Sequence, residues 1–401
     1  MLQRYSLNGV EIDSLDLKAL LITRGMTISP EIPKRFGATH RVQDFTEDPT
    51  ACNCAILPDG VILHMVSLGP GMPFSMDVDD EGNAYIAHEG AFLTQATFPP
   101  KSQFYEQRTS GGTPFGHLAV LQGLDVLSFP YLWPCEFAQR GLPCQFCFPG
   151  VETAKLVRDG EPLPPSARGA PQDVAEIVDY CVNEEKCVWD VQITGGSKFD
   201  PRAECSLVAE MVRAIDERIG LDNVPGEIYV YTTAPIEPSA IDEVFEAGAD
   251  RVAYDLNIWD VSLFAQVCPG HARYTGRERQ LAALEYIAKT YGPNKACSAF
   301  VVGIEPLESL LEGAEYLGSR GIVPLASVWV PHGRPVMGRT EAPGIEYYRR
   351  VREVFADIYE RYELEPPGTA GFNVCMCRDA WNYRQEILGH KRREADVAGG
   401  A

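Results

Sequence analysis

Three cysteines are the residues of this 401-residue chain best suited to chemistry. Cys135, Cys144 and Cys147 are spaced C-x8-C-x2-C among proline and glycine residues, directly after the apolar run 126–129. Thiolates bind metals, and the loop after a parallel strand is where α/β proteins place their ligands. A closed structural zinc site takes four protein ligands, whereas three leave one coordination position open. The pattern indicates a metal or iron–sulfur site with an open position.

Two further strand ends carry residues suited to binding a cofactor. Gly195 and Gly196 follow the strand predicted over 188–193, and glycines there let the backbone approach a ligand closely. Asp255 and Asn257 lie at the end of the strand predicted over 251–256, where they could accept hydrogen bonds from ribose hydroxyls. The structural alternatives are an ordinary turn for the glycines and a capped helix start for the polar pair.

The elements that must position these residues alternate between strand and helix. Six strand–helix units follow one another, with strands over 124–129, 188–193, 227–231, 251–256, 296–302 and 322–330. Such alternation predicts an α/β fold with a parallel sheet and helical crossovers. Six units suit a partial (β/α)6 TIM-like barrel better than a closed barrel of eight.

The residues before these units have a different pattern of predicted elements. Residues 1–118 are predicted to form a β-rich amino-terminal domain, residues 119–365 the barrel, and residues 366–401 a carboxyl-terminal extension. The amino-terminal strands are expected over 9–12, 18–28, 54–57, 61–64, 74–78 and 84–87. Cys52, Cys54 and His64 could bind a metal, but one short cysteine pair without a second favours structural roles.

Composition and charge exclude some classes of protein. The chain is 45% hydrophobic, as globular proteins are, and its net charge of −21 disfavours nucleic acid as a partner. No apolar run approaches about 18 residues, and the first residues lack the order of a signal peptide. We therefore expect a cytoplasmic protein without a membrane partner. Its 12 cysteines are expected to be reduced thiols and ligands.

The cysteine loop resembles that of the radical S-adenosylmethionine (SAM) superfamily. Phe146 is the aromatic residue that the family places directly before its last cysteine, although the first gap here is eight residues where the family has three. The Thr-Gly-Gly at 194–196 is similar to the family's Gly-Gly-Glu, with Ser197 in place of the glutamate. The order of motifs over 255–281 and 300–309 resembles biotin synthase and lipoyl synthase.

The resemblance implies a set of site residues and cofactors. Cys135, Cys144 and Cys147 would hold a 4Fe-4S cluster, and SAM would bind its open iron. An electron donor such as a ferredoxin or flavodoxin would reduce the cluster. The residues implied in SAM binding are Phe146, Gly195, Gly196 and Ser197, then Asp255 and Asn257 for the ribose, Arg273 for the carboxylate, and Gly303 and Glu305 near the adenine.

The same resemblance implies a reaction class. Reductive cleavage of SAM would give a 5′-deoxyadenosyl radical that takes hydrogen from a small polar substrate, for rearrangement, epimerisation or C–X bond formation, as an oxidoreductase or transferase. His332 is a candidate to face that substrate. The chain has no Asp-x-His-x-x-Gly segment, which disfavours cobalamin-dependent methyl transfer.

Several alternatives stay open at this point. Cys375 and Cys377 are buried structural residues, ligands of an auxiliary cluster, or thiols that return hydrogen to a substrate radical, as in radical epimerases. The cysteine loop could belong to a zinc or iron–sulfur module without SAM chemistry. A barrel metal hydrolase is the weaker rival, because none of the seven histidines lies in a His-x-His or His-Glu-x-x-His pattern.

Overall fold

The amino-terminal part combines short strands with two helices. The computed structural model describes residues 2–37, 54–67, 71–132, 134–163, 169–331, 341–368 and 375–386. Strands β3, β6, β7 and β8 form one sheet, and β1–β2 and β4–β5 are two hairpins. The elements are β1 (Arg4–Leu7), β2 (Val10–Asp13), α1 (Ser14–Arg24), β3 (Met26–Ile28), α2 (Glu31–Phe36), β4 (Cys54–Ile56), β5 (Ile62–His64), β6 (Phe74–Val78), β7 (Ala84–His88) and β8 (Ala91–Ala96).

The strand expected over 18–28 is wrong, because most of that segment is helix α1. Asp13 caps this helix, and its side chain accepts from the backbone N–H groups of Leu15 and Asp16. Asp16 completes a capping box by accepting from the Asp13 backbone N–H at 3.1 Å. A capping box satisfies the free donors of a first helical turn, so these two acids start a helix where the apolar run suggested a strand.

A seven-stranded sheet carries the predicted site. Its spatial order is β15-β14-β13-β12-β11-β10-β9; β10 to β15 are parallel in consecutive order, and only the edge strand β9 is antiparallel. The predicted six-unit α/β partial barrel is therefore confirmed. The strands are β9 (Val120–Gln122), β10 (Val126–Pro130), β11 (Asp190–Thr194), β12 (Ile228–Tyr231), β13 (Arg251–Ala253), β14 (Ala296–Val302) and β15 (Val323–Val328).

Helices connect successive strands of this sheet. Proline or aspartate begins several of them: Asp200 accepts from two backbone N–H groups at the start of α7, and Asp260 from one in α9. The helices are α3 (Phe115–Leu118), α4 (Glu136–Gln139), α5 (Phe148–Asp159), α6 (Pro171–Asp179), α7 (Pro201–Ile219), α8 (Pro238–Glu246), α9 (Val261–Val267), α10 (Pro269–Tyr274), α11 (Arg277–Tyr291), α12 (Leu307–Gly318), α13 (Ile345–Arg361) and α14 (377–386).

The core lies between the sheet and its helices. All seven residues of β14 are buried, as expected for a central parallel strand with helices on one face and barrel interior on the other. The amino-terminal part has a second apolar cluster, and α1 contributes to both: Ala19 and Ile22 pack with the barrel core, and Leu15 and Leu21 with the other. The domain boundaries stay a prediction.

Ion pairs attach α1 to the barrel. Arg352 of α13 pairs with Asp13 and, at 3.0 Å, with Asp16. The fully buried Lys18 pairs with Asp379 of α14 at 2.6 Å and donates to the Cys375 carbonyl at 3.0 Å. Breaking such a pair leaves a charge without compensation in the interior. Within the described ranges, no helix has both the length and the apolar character needed to cross a membrane.

Candidate functional site

A cavity of about 320 Å³ opens at the carboxyl ends of the parallel strands. Its walls come from the loops after β10, β11, β12 and β13, where parallel α/β sheets place ligands. The predicted site residues that line it are Phe146, the three cysteines of the C-x8-C-x2-C loop, Gly195, Gly196, Ser197, Asp255 and Asn257. The fold thus gathers these residues from distant parts of the sequence around one space.

The cysteine loop is held by hydrogen bonds from backbone N–H groups to sulfur. The Ser197 N–H donates to the Cys135 sulfur at 3.4 Å, and the Gly150 N–H donates to the Cys147 sulfur at 3.4 Å. Cys147 is the residue that caps α5, so its sulfur lies at the amino-terminal end of a helix. Helix amino termini and N–H donors both favour a negatively charged sulfur.

Close backbone contacts bring the far cysteine of the loop to the other two. Gly196 lies against Cys135 so tightly that a Cβ atom on Gly196 would be 2.6 Å from the Cα and Cβ of Cys135. The Glu136 N–H donates to the Ser197 carbonyl at 3.0 Å, and the Glu136 carboxylate accepts from the Phe199 N–H at 2.7 Å. The glycine pair therefore serves as the surface on which the long loop folds.

Two residues that the sequence reasoning did not select lie beside the middle cysteine. Cys268 belongs to a buried apolar cluster against which Cys144 packs, and His271 lines the same cavity as Cys144. His271 lines the cavity, its Nε2 is 3.4 Å from the Ser197 hydroxyl, and its buried Nδ1 has no hydrogen-bond partner among the residues that the structure describes. The available signal was the Cys-Pro-Gly-His run at 268–271, which places a cysteine and a histidine across a helix start.

The three thiols have raised pKa values in this cavity. The contact with Cys268, followed by burial, raises the pKa of Cys144, and burial raises that of Cys135 and brings that of Cys147 to about 12. Burial thus disfavours three neighbouring thiolates unless positive charge lies among them. An iron–sulfur cluster supplies such charge and takes thiolate ligands, so this donor set fits one.

A site for a single metal ion differs from a cluster site in how its ligands are arranged. Within the described residues, no three His, Cys, Asp or Glu side chains lie together as they would around one metal ion. A four-iron cluster spreads its thiolate ligands over different irons and so does not need them to meet at one point.

Asp255 and Asn257 form the wall opposite the cysteine loop. The Asp255 carboxylate accepts from the Ala299 N–H at 2.8 Å, and burial raises its pKa to about 7. Asn257 has a positive φ of 63° and donates from its side chain to the Asp255 carbonyl at 2.9 Å. Tyr231, which also lines the cavity, adds a hydroxyl close to this pair. The wall can hydrogen-bond a polar ligand.

Three of the predicted cofactor residues lie outside the cavity wall. Arg273 is exposed, and its guanidinium lies 5.3 Å from the centre of the Tyr274 ring. Gly303 has a φ of 108° and Glu305 is 2% exposed, but neither lines the cavity. Their roles in binding SAM stay predictions. His332 lies outside the described residues.

The Glu305 carboxylate connects two loops of the barrel. It accepts from the backbone N–H groups of Trp259 at 2.9 Å and Asp260 at 3.0 Å, and from the Ser309 hydroxyl at 2.8 Å. It thereby ties the loop after β13 to the loop after β14.

Removing this carboxylate should destabilise the protein. We expect Glu305→Ala to lower the free energy of unfolding by about 2 to 4 kcal/mol, because the buried N–H of Trp259 and the half-buried N–H of Asp260 lose their acceptor. Urea unfolding followed by circular dichroism measures the change. Glu308→Ala is the matched control, since Glu308 is exposed in the first turn of the adjoining α12 and should change stability by less than about 0.5 kcal/mol. Equal stabilities of the two variants would contradict this account.

A second buried carboxylate, missed by the sequence reasoning, lies below the cavity. Glu204 of α7 is fully buried; it accepts from the Tyr131 hydroxyl, from the Thr233 N–H and, at 2.9 Å, from the Lys198 N–H. Burial raises its pKa to about 7. Its three donors follow β10, β11 and β12, so Glu204 joins three loops that shape the site.

The carboxyl-terminal cysteines lie at the open edge of the sheet. Cys375 forms an antiparallel bridge to Ser327 of the edge strand β15, and its side chain is in hydrogen-bond contact with Cys377. That contact, with backbone N–H donors and Lys18, lowers the pKa of Cys375 to about 6. Neither thiol lines the cavity.

The amino-terminal candidates are placed in a hairpin. Cys54 is opposite His64 across β4 and β5, and its thiol donates to the Gly123 carbonyl at 3.2 Å. Both side chains are buried, and Cys52 lies outside the described residues. The contacts of Cys54 agree with a structural role.

The curated proteins include a relative of this chain. No protein-family model matches the sequence. The chain is 25% identical over 277 residues to the bacteriochlorophyllide c C-7(1)-hydroxylase of Chlorobaculum limnaeum, a match that covers 64% of this chain and 65% of that protein. The chain therefore spans somewhat less than two thirds of the relative's length.

Solved structures that the chain resembles include radical SAM enzymes. Methylornithine synthase (PylB) matches at 14% identity and a TM-score of 0.43, over 66% of this chain and 82% of its own. The radical SAM methyltransferase TsrM of Kitasatospora setae matches at 12% and 0.42, over 80% and 72%. Streptococcus suis SuiB bound to SAM matches at 15% and 0.40, over 60% and 48%.

Proposed function

We propose that this protein is a radical SAM enzyme. The observation that supports the proposal most is the meeting of the three loop cysteines, the 195–196 glycine pair and the Asp255–Asn257 pair around one cavity at the carboxyl ends of parallel strands. Each group was selected from the sequence on separate grounds. A structural metal module would require no glycine pair and no polar wall facing the thiols.

The proposal assigns the cavity residues to two cofactors. Cys135, Cys144 and Cys147 would hold a 4Fe-4S cluster, and the backbone at 195–197 together with Asp255 and Asn257 would bind SAM. When bound and reduced, the cluster supplies the electron that cleaves SAM to methionine and a 5′-deoxyadenosyl radical.

The chain's own residues orient the two cofactors and limit access of water. N–H groups stabilise negative charge on two of the sulfurs, and apolar side chains such as Leu142 and Phe146 in the cavity wall would limit the access of water to bound cofactors. The half-buried Asp255 carboxyl can accept from a ribose hydroxyl when ionised and donate one hydrogen bond when protonated.

The substrate class and reaction class belong to the same proposal. We infer a small polar substrate and rearrangement, epimerisation or C–X bond formation, with reduction by a ferredoxin- or flavodoxin-type donor. The name of the curated relative, a bacteriochlorophyllide hydroxylase, denotes C–O bond formation, which is within this range.

Anaerobic reconstitution tests the proposal. The full chain is loaded with iron and sulfide, reduced with dithionite in the presence of SAM, and assayed for 5′-deoxyadenosine. We expect a brown protein that releases 5′-deoxyadenosine and methionine in equal amounts. A colourless, zinc-containing protein that leaves SAM intact would favour a structural metal module instead.

The carboxyl-terminal thiols give a separate prediction within this function. If Cys375 or Cys377 returns hydrogen to a substrate radical, Cys375→Ala and Cys377→Ala should release 5′-deoxyadenosine at the wild-type rate but form a different product. Turnover in D2O should then place deuterium in the wild-type product, because thiol protons exchange with solvent. Cys297→Ala, a buried cysteine of β14, is the control. Two variants that form the wild-type product would end this hypothesis.

A further inference from the structure

We propose that Glu204 is a positioning residue for SAM binding, because its buried carboxylate holds three strand-end loops in the arrangement that gives the cavity its shape. The inference rests on the proposed function and deepens it, since it names a residue outside the cavity wall on which the affinity for SAM depends. Glu204 does not line the cavity, so it acts only through the residues that do.

Hydrogen bonds from three separate segments converge on this carboxylate. Glu204 lies in the first turn of α7, and none of its surface is exposed. One carboxylate oxygen accepts from the Tyr131 hydroxyl and the Thr233 N–H, and the other accepts from the Lys198 N–H at 2.9 Å. A carboxylate is costly to bury unless such bonds satisfy its oxygens, so the three segments and the carboxylate stabilise one another.

The donors belong to different parts of the cavity wall. Tyr131 lines the cavity, and Lys198 and Thr233 directly follow the lining residues Ser197 and Thr232. These segments come after β10, β11 and β12, respectively. Loss of the shared acceptor therefore affects three neighbouring parts of the wall at once.

The hydrogen bond from Lys198 extends this support to the cysteine loop. The peptide group between Ser197 and Lys198 is held at both ends: its N–H donates to Glu204 at 2.9 Å, and its carbonyl accepts from the Glu136 N–H at 3.0 Å. The Ser197 N–H in turn donates to the Cys135 sulfur at 3.4 Å. Because a peptide group is planar, an acceptor that fixes its N–H also fixes the direction of its carbonyl.

Glutamine is the substitution that tests these bonds with little change of shape. A glutamine side chain has one acceptor oxygen, and its NH2 group only donates. Both oxygens of Glu204 accept hydrogen bonds, so at least one donor must face the NH2 group in Glu204→Gln and lose its acceptor. A site whose supporting residues no longer hold it in place binds its ligand less well.

The test measures how fast the reconstituted full chain forms 5′-deoxyadenosine with dithionite over a range of SAM concentrations. We expect Glu204→Gln to keep wild-type iron content and to raise the KM for SAM about tenfold, since a buried donor without an acceptor weakens the bound arrangement. A residue that only stabilised the fold would lower the amount of active enzyme, and hence kcat, without changing KM. The SAM concentration that half-changes the electron paramagnetic resonance signal of the reduced cluster should rise in parallel.

Two further variants complete the test. Glu210→Gln is the matched control, because Glu210 is an exposed glutamate of the same helix and should keep the wild-type KM. Glu204→Asp retains both acceptor oxygens on a shorter side chain, so its KM should lie between those of wild type and Glu204→Gln. If Glu204→Gln does not fold, Glu204→Asp decides: a raised KM supports the inference and a wild-type KM overturns it.

The outcomes separate this inference from the proposed function. Wild-type KM values in both Glu204→Gln and Glu204→Asp, in a protein that cleaves SAM, would overturn the positioning role alone. A wild-type protein that assembles no cluster or leaves SAM intact would remove the proposed function and this inference together.

Discussion

Cys135→Ala should abolish 5′-deoxyadenosine formation and lower the iron content of the reconstituted protein. Cys135 is the residue that the eight-residue gap separates from the other two cysteines, yet its sulfur lies at the same cavity and accepts from the Ser197 N–H. A cluster with only two protein thiolates loses its third anchor, because alanine cannot bind iron. Iron and sulfide analysis and a 5′-deoxyadenosine assay measure the two effects.

A matched control separates loss of a ligand from loss of any cysteine. Cys187 is half-buried, as Cys135 is. It precedes β11 and so lies near the amino-terminal ends of the strands, whereas the cavity lies at their carboxyl ends. Cys187→Ala should keep wild-type iron content and activity. Wild-type activity in Cys135→Ala would show that the distant cysteine is not a ligand, and the loop would then need a different third thiolate.

Gly196→Ala should reduce 5′-deoxyadenosine formation by about 100-fold while leaving the fold intact. The added methyl group would be 2.6 Å from the Cα and Cβ of Cys135 and 3.0 Å from its backbone nitrogen, so the cysteine loop must move away. A shift of about 1 Å at a reacting centre costs on the order of 100-fold in rate. Iron content should fall as well, since the displaced residue is a proposed ligand.

The control for this substitution is another glycine with a permissive backbone. A Cβ atom on Gly111 would meet only the Thr109 hydroxyl, at 3.5 Å, which is an ordinary contact. Gly111→Ala should therefore behave as wild type in stability and in activity. Circular dichroism of Gly196→Ala checks that the barrel still forms. An active, iron-replete Gly196→Ala would contradict the idea that the glycine pair positions Cys135.

The barrel could be predicted from sequence because its signals are local. Apolar runs such as 296–302, separated by helices with proline or aspartate at their starts, appear directly in the order of residues. The predicted strands match the observed ones to within a few residues, and the parallel order follows from the crossover helices. The amino-terminal helix α1 was missed because an apolar run of that length fits either element, and its capping box decided the outcome.

The candidate site was predictable to the extent that its residues lie at strand ends. The sequence places the cysteine loop, the glycine pair and the Asp255–Asn257 pair after successive parallel strands, and carboxyl ends of such strands share one edge. That argument does not say which loop residues point inward. Arg273 follows the same strand as Asn257, and it is exposed beside Tyr274.

Contacts between loops could not be predicted from the sequence. Glu204 accepts hydrogen bonds from donors that follow three different strands, and Glu305 joins two loops. Either residue in isolation looks like an ordinary acid at a helix start. The function of these two residues in the fold depends on which chain segments lie next to each other. The spacing of the residues along the sequence does not determine this.

Sequence alone determined that strands and helices alternate and that three thiols leave one coordination position open. It also determined which strands end in glycine or polar residues. These are properties of residues close together in the chain. Tertiary structure alone decided that Gly196 packs on Cys135, that Cys144 packs on the apolar cluster of Cys268 and shares a cavity with His271, and that Lys18 fixes the turn at Cys375. The physical reason is that a hydrogen bond or a steric contact depends on distances of a few ångströms between segments that only folding brings together.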